Sequence, residues 1–206
     1  MNEGYMDILR SIASSEPTPG GGSVAALSLA HAHSLSLMVA RLTLANDKWA
    51  DGHDAAKTSI ELSETGLEES ILLAISDSEA FESVMSAYRL PKATEIEKKQ
   101  RSEEVRKATI GAALAPLNTA SSAQKLLSNL EKQCASCNPN ALTDLASASE
   151  MALSAAKIAS LNVRINLEYI QGEDVALLNS KIEKAVEGAI KSANNVALTV
   201  NQRLDW

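Results

Sequence analysis

Residues 60–88 read IELSETGLEESILLAISDSEAFESVMSAY, and within them Ile60, Ser63, Leu67, Ile71, Ala74, Ser78, Phe81, Met85 and Tyr88 recur at steps of three and four. Because an α-helix completes a turn in 3.6 residues, that spacing puts all of them on one side and predicts a seam along which the helix packs in a bundle. Pro91 closes the run.

The same period extends in both directions. Upstream, a charged break from Asn46 to Asp54 precedes the long helix, and before it Val24 to Leu44 is apolar or small nearly all the way round, the pattern of a central, buried helix. Ser23 is placed to cap that helix. The preceding Pro17-Thr18-Pro19-Gly20-Gly21-Gly22 is incompatible with a continuing helix, so a glycine loop separates it from a short first helix carrying Tyr5, Ile8, Leu9 and Ile12.

Downstream, Thr94 and Glu97 stand in capping-box relation and open a helix whose apolar face passes through Val105, Ala108, Ala112, Ala115, Thr119, Ala123, Leu126 and Leu130. Pro116 lies inside it, which predicts a kink or local break between Ala112 and Pro116. Asn138 and Pro139 read as N-cap and first residue of the next helix, with Leu142, Leu145, Ser149, Ala152, Ala156, Ala159, Val163, Asn166 and Ile170 on its seam. Gly172 followed by Glu173 and Asp174 ends it and starts a last helix through Ile182, Val186, Ala189, Ala193, Val196 and Val200. Short connections between five long helices imply antiparallel neighbours, so the expected fold is all-α, a single-domain up-and-down antiparallel helical bundle over residues 1–206.

Composition agrees and excludes several classes. The chain has 206 residues, 45% of them hydrophobic and only 3% aromatic, which suits close-packed helices better than sheets. A net charge of −7 without a basic stripe argues against nucleic acid as a partner. Met1 to Arg10 contains charges and no apolar leader core, and no stretch reaches the ~20 uninterrupted apolar residues of a membrane span, so a cytoplasmic protein with no membrane partner is expected. Cys134-Ala135-Ser136-Cys137 has the spacing of a redox dithiol or half a zinc site. A second ligand pair is missing, His31 and His33 point to different faces and His53 stands alone, so no metal is expected and the cysteines are read as ordinary thiols near a loop.

Four segments in order carry a family resemblance: Pro17-Thr18-Pro19-Gly20-Gly21-Gly22-Ser23-Val24-Ala25-Ala26; Asp77-Ser78-Glu79-Ala80-Phe81 running on to Ala87-Tyr88-Arg89-Leu90-Pro91-Lys92; Asn140 to Thr143-Asp144-Leu145; and Leu161-Asn162-Val163-Arg164-Ile165-Asn166-Leu167. Together they resemble the cyclodeaminase/cyclohydrolase family, the domain that follows formiminotransferase in formiminotransferase-cyclodeaminase and its stand-alone relatives, including methenyltetrahydrofolate cyclohydrolases. The resemblance implies an enzyme that forms or hydrolyses 5,10-methenyltetrahydrofolate by acid/base catalysis, or one that releases ammonia from formiminotetrahydrofolate. It implies no cofactor beyond tetrahydrofolate as substrate and carrier. With the alanine-rich seams, through which each helix buries modest area, it also implies a homodimer. A non-catalytic protein that binds folate or a partner, and a purely structural helical protein, are the alternatives from other classes.

Candidate residues follow from chemistry and resemblance together. Gly20, Gly21, Gly22 and Ser23 at a helix N-terminus let backbone N–H groups approach a carboxylate or a pterin edge, or else form only a tight turn. Asp77 follows the apolar run Ile71 to Ile75 and is expected at the edge of the buried seam. Partial desolvation raises a carboxylate's proton affinity, as a general acid/base requires, whereas a solvated face beside Glu79 and Glu82 would leave it ordinary. The resemblance matches Asp77 to the family's active-site acid. Arg89 and Lys92 offer cations for the glutamate tail of folate, or complement the helix C-terminus, and Arg164 is a further possible anion partner. Asn162 and Asn166, one turn apart, offer amides to a pterin edge or make an interhelical contact. The resemblance adds Asn140 and Asp144 to the binding set. Asp144 precedes Asn162 by about 27 Å of helix, so a shared reacting centre requires either one end of this helix or two subunits.

Overall fold

The computed structural model describes residues 3–206, and Met1 and Asn2 of the leader reading lie outside the described residues. The described residues form seven α-helices and no strand: α1 (Glu3–Ile12), α2 (Gly21–Leu44), α3 (His53–Tyr88), α4 (Glu95–Ala112), α5 (Leu114–Ser136), α6 (Leu142–Leu167) and α7 (Glu173–Leu204), with 3₁₀ segments at Asp47–Gly52 and Pro139–Ala141.

Helix α2 is the axis of the bundle. Ala25, Ala26, Leu29, Ala32, Val39 and Ala40 are fully buried, and the helix packs against α3, α6 and α5. By length and composition α2 would reach across a bilayer, with an 18-residue window of mean hydropathy 1.4, but 61% of that window is buried inside the bundle. Contacts fix the directions. Ser23 meets Ala74 while His33 meets Gly66, so α2 and α3 are antiparallel; Gly21 meets Asn162 while Thr43 meets Asn138, so α2 and α6 are antiparallel too. Helix α5 runs parallel to α7, with Ser128 at Ser192 and Glu131 at Asn195.

The break between α4 and α5 has a visible cause. In a continuous helix the Ala112 carbonyl would accept from the amide of residue 116, which as proline has none. The carbonyl accepts instead from Asn166 Nδ2 at 3.0 Å. Asn166 therefore makes an interhelical contact that satisfies the group Pro116 orphans. Asn166→Ala is expected to cost about 1–2 kcal/mol of stability, read as a lower urea midpoint at unchanged slope.

Other expectations hold or need correction. Thr94 and Glu97 form a reciprocal capping box, and Asn138 caps the 3₁₀ turn that begins at Pro139 and leads into α6. Ser23, expected as an N-cap, lies inside the first turn of α2, because the helix begins at Gly21 with Gly20 as its cap residue. The seam of α3 is partly shifted from the expected one: Ser63 and Ala74 are buried as expected, but Ser59, Gly66 and Ser70 join them, while Ile71 and Tyr88 are 43% and 50% exposed. Small residues win that face because α2 approaches closely, and a Cβ at Gly66 would overlap the His33 ring.

Cys134 and Cys137 are both buried, and burial pushes the Cys134 thiol up to about 11. Their backbone carbonyls accept from Arg203 of α7 at 2.6 and 2.8 Å, so this segment pins the end of the last helix.

Candidate active site

The first turn of α2 lies between α3 and α6, and glycine makes that approach possible. A Cβ on Gly22 would overlap the Asp77 carboxyl, and one on Gly21 would stand 3.6 Å from Asn162 Nδ2. Asp77, the glycine turn and Asn162 are thereby brought side by side from three helices.

Asp77 is half-buried and is held by Ser23, whose hydroxyl lies 3.0 Å from Asp77 Oδ2 and 3.1 Å from the Ala74 carbonyl. Ser78 Oγ stands 3.2 Å from the same hydroxyl. Since Gly20 has no side chain with which to cap α2, the carboxylate takes that part from a neighbouring helix, accepting from the Ser23 amide and hydroxyl. Burial raises the proton affinity of Asp77 above the ordinary carboxylate range, and the Ser23 hydrogen bonds offset only part of the rise. The outcome is a carboxyl group oriented by two hydrogen bonds and poised closer to neutrality than a surface aspartate. Gly22→Ala should displace this carboxyl, costing about 1–2 kcal/mol of stability and lowering kcat, as a thermal melt beside a turnover assay would show.

Asn162 is half-buried, its Nδ2 donates to the Ile158 carbonyl at 2.9 Å, and both amide atoms lie within 4 Å of where a Cβ on Gly21 would stand. Asn166 stands one turn farther along α6, tied to Ala112. The remaining candidates are elsewhere. Arg89 and Lys92 are exposed at and beyond the end of α3, with Arg89 about 18 Å along the helix from Asp77. Arg164 is exposed on the outer side of α6. Asn140 and Asp144 lie at the opposite end of α6 from Asn162. Among the described residues no group of three or more His, Cys, Asp or Glu is arranged to hold a metal ion.

Two features escaped the reading of the sequence. Val84, Tyr88, Ser102, Arg106, Thr109 and Asn166 contribute to a cleft of about 520 Å³ among α3, α4 and α6. Its only trace in the sequence is the helical recurrence of Ser102, Arg106 and Thr109, on a helix polar enough to pass for a solvated one. The second is His33, which is 1% exposed, has no hydrogen-bond partner in the protein for either ring nitrogen, and ends a separate cleft of about 640 Å³ between α3 and α5.

Comparison with known proteins adds the following. The family model described as formiminotransferase-cyclodeaminase matches residues 5–187. The chain is 33% identical over 204 residues to a methenyltetrahydrofolate cyclohydrolase of Methylorubrum extorquens, covering 98% of this chain and 94% of that one. It is 27% identical over 186 residues to the formimidoyltransferase-cyclodeaminase of Gallus gallus, where the match takes 88% of this chain and 34% of the larger protein. The crystal structure of a formiminotetrahydrofolate cyclodeaminase from Thermotoga maritima superimposes with a TM-score of 0.80 at 26% identity, covering 100% of this chain and 96% of the other.

Proposed function

The chain belongs to the formiminotransferase-cyclodeaminase family, and from that premise we propose that it is a cytoplasmic folate one-carbon enzyme that hydrolyses or forms 5,10-methenyltetrahydrofolate, with Asp77 as its acid/base group. The observation that supports this most is the half-buried Asp77 carboxyl, its proton affinity raised by burial and its orientation set by Ser23 against the glycine turn.

In hydrolysis, water attacks the cationic carbon between N5 and N10. Asp77 takes a proton from that water as the C–O bond forms, and the electrons of the C=N bond return to nitrogen. The same proton then passes to the ring nitrogen whose bond to carbon breaks, and the new hydroxyl gives up its remaining proton to solvent as the C=O bond forms, leaving a formyl group on the other nitrogen. A carboxylate beside the cation also stabilises its charge. Asn162 and the free N–H groups of the α2 N-terminus are assigned to the polar edge of the pterin.

The match to cyclodeaminases favours a second reading on the same site. There N10 attacks the carbon of the protonated formimino group carried on N5, Asp77 takes the N10 proton and passes it to the amino nitrogen, and ammonia departs as the C=N bond of the methenyl cation forms. Purified protein given 5,10-methenyltetrahydrofolate should discharge its methenyl absorbance far faster than buffer does, and ammonia release from 5-formiminotetrahydrofolate separates the two readings. Inertness toward both substrates would contradict them.

We assign the working form to a homodimer. Ile71, Leu72 and Ile75 on α3 and Leu161 and Ile165 on α6 are exposed apolar residues available to a second copy. Such a partner is also how Asn140 and Asp144, about 27 Å down α6 from Asn162, would come to serve a site at the glycine turn.

A further inference from the structure

Helices α3 and α6 continue past the first turn of α2, and the cleft of about 520 Å³ lies as a groove between those extensions and α4. Val84 and Tyr88 of α3, Asn166 of α6 with Tyr169 just beyond its end, and Ser102, Arg106 and Thr109 of α4 line this groove, while Asp77 and Asn162 stand on the same helix faces about two turns before Val84 and one turn before Asn166, toward the glycine turn. Two ties fix the register of α4. Arg101 Nε donates to the Tyr88 carbonyl at 3.1 Å, with its guanidinium 5.2 Å from the Tyr88 ring centre, and Ala112 at the other end meets Asn166. With α4 thus antiparallel to α3, Arg106 stands opposite Val84, about 10 Å up the groove from Asp77.

Arg106 is held there by the far wall. Its Nη2 donates to Asp174 Oδ1 and Oδ2 at 2.8 and 3.0 Å and to the Gln171 carbonyl at 3.1 Å. All three bonds use one nitrogen, which leaves Nη1 and Nε on a guanidinium that is 41% exposed and lines the cleft. Nη1, on the edge away from Asp174, is left to give a charge-assisted hydrogen bond to a second carboxylate.

Resting on the folate reading above, we propose that Arg106 receives a carboxylate of the substrate's glutamate tail, with the aminobenzoyl ring lying along Val84 and Tyr88 and Asp174 positioning the guanidinium. The dimension fits, because N10 of a folate and its glutamate carboxylates are separated by roughly 10 Å at ordinary bond lengths. This reassigns the tail from Arg89 and Lys92, which do not line the groove.

The test compares 5,10-methenyltetrahydrofolate with its diamide, in which both glutamate carboxyls are neutral. Wild type should favour the free acid by about 10- to 100-fold, mainly through KM. Arg106→Met should bring the two substrates within about 3-fold of each other at little change in kcat, and Arg106→Lys should restore part of the preference. Equal use of both substrates by wild type, or an equal loss on both in Arg106→Met as expected of a purely structural pin between α4 and α7, would overturn the assignment. Calorimetric titration with 5-formyltetrahydrofolate and its diamide reads the subsite without turnover. Arg106-dependent discrimination in a protein that hydrolyses nothing would sink the enzymatic reading and keep the subsite. Binding without discrimination would sink the subsite alone, and binding of neither would sink both.

Discussion

Asp77→Asn is expected to lower kcat on 5,10-methenyltetrahydrofolate by about 10²- to 10⁴-fold, the usual worth of a positioned acid/base group, while leaving the melting temperature within a few degrees of wild type. Asparagine keeps the shape and retains an oxygen to accept from the Ser23 amide and hydroxyl, so the first turn of α2 keeps its partner. What it loses is the ability to take up and return a proton. The sign of the stability effect is also fixed. A carboxylate whose folded pKa is raised above its unfolded value contributes stability below the unfolded pKa and loses it as pH rises through the folded one. At neutral pH the ionised Asp77 is therefore a net burden, and the variant should melt at or above wild type there, the difference shrinking under acid. Retained kcat would remove Asp77 from the chemistry and reduce it to an interhelical cap. A collapsed melt would mark it as chiefly structural.

The second large effect concerns His33. Burial lowers its pKa from 6.5 to about 4, and neither ring nitrogen has a partner in the protein. The unfolded chain binds a proton between those values that the folded one refuses, so stability falls as pH drops from about 6.5 toward 4. A shift of that size corresponds to about 3 kcal/mol. His33→Leu, of similar volume against Gly66, removes this linkage and the desolvated ring together. The variant should equal or exceed wild type near pH 7.5 and gain about 3 kcal/mol relative to it by pH 4, measured by urea unfolding across that range. Parallel pH profiles for the two proteins would mean that His33 does not carry the acid sensitivity. A uniform loss at every pH would mean that its ring is hydrogen-bonded after all.

Helix number, the break at Pro116 and most seams were legible because each is local. Thr94 with Glu97, Asn138 with Pro139, and the run from Leu142 to Val163 depend on neighbours within a few turns. The α3 seam was misread for a tertiary reason. Ser63 and Ala74 of the expected seam are buried, but close approach of α2 adds Ser59, Gly66 and Ser70 where the large apolar Ile71 and Tyr88 were expected, a preference that no single helix encodes.

The site was legible in the same uneven way. Asp77 could be placed at the edge of a seam from the apolar run before it, and the resemblance singled it out. That Gly22 exists to admit this carboxyl, and that Asn162 meets Gly21, required three helices to be placed together. Arg106 was invisible for a related reason: on a polar helix a cation is ordinary until α6 and α7 enclose it. The role of Asn166 emerged only when Pro116, fifty residues upstream, was seen to leave the Ala112 carbonyl without a donor.

The most direct measurement is a crystal structure of the protein with 5-formyltetrahydrofolate bound. The account requires the N5–N10 region to lie over the glycine turn, with the Asp77 carboxyl within about 3 Å of N5, N10 or the formyl carbon's substituents, directly or through one water. A folate bound in the cleft below His33, or anywhere that leaves Asp77 engaged only with Ser23, would contradict it.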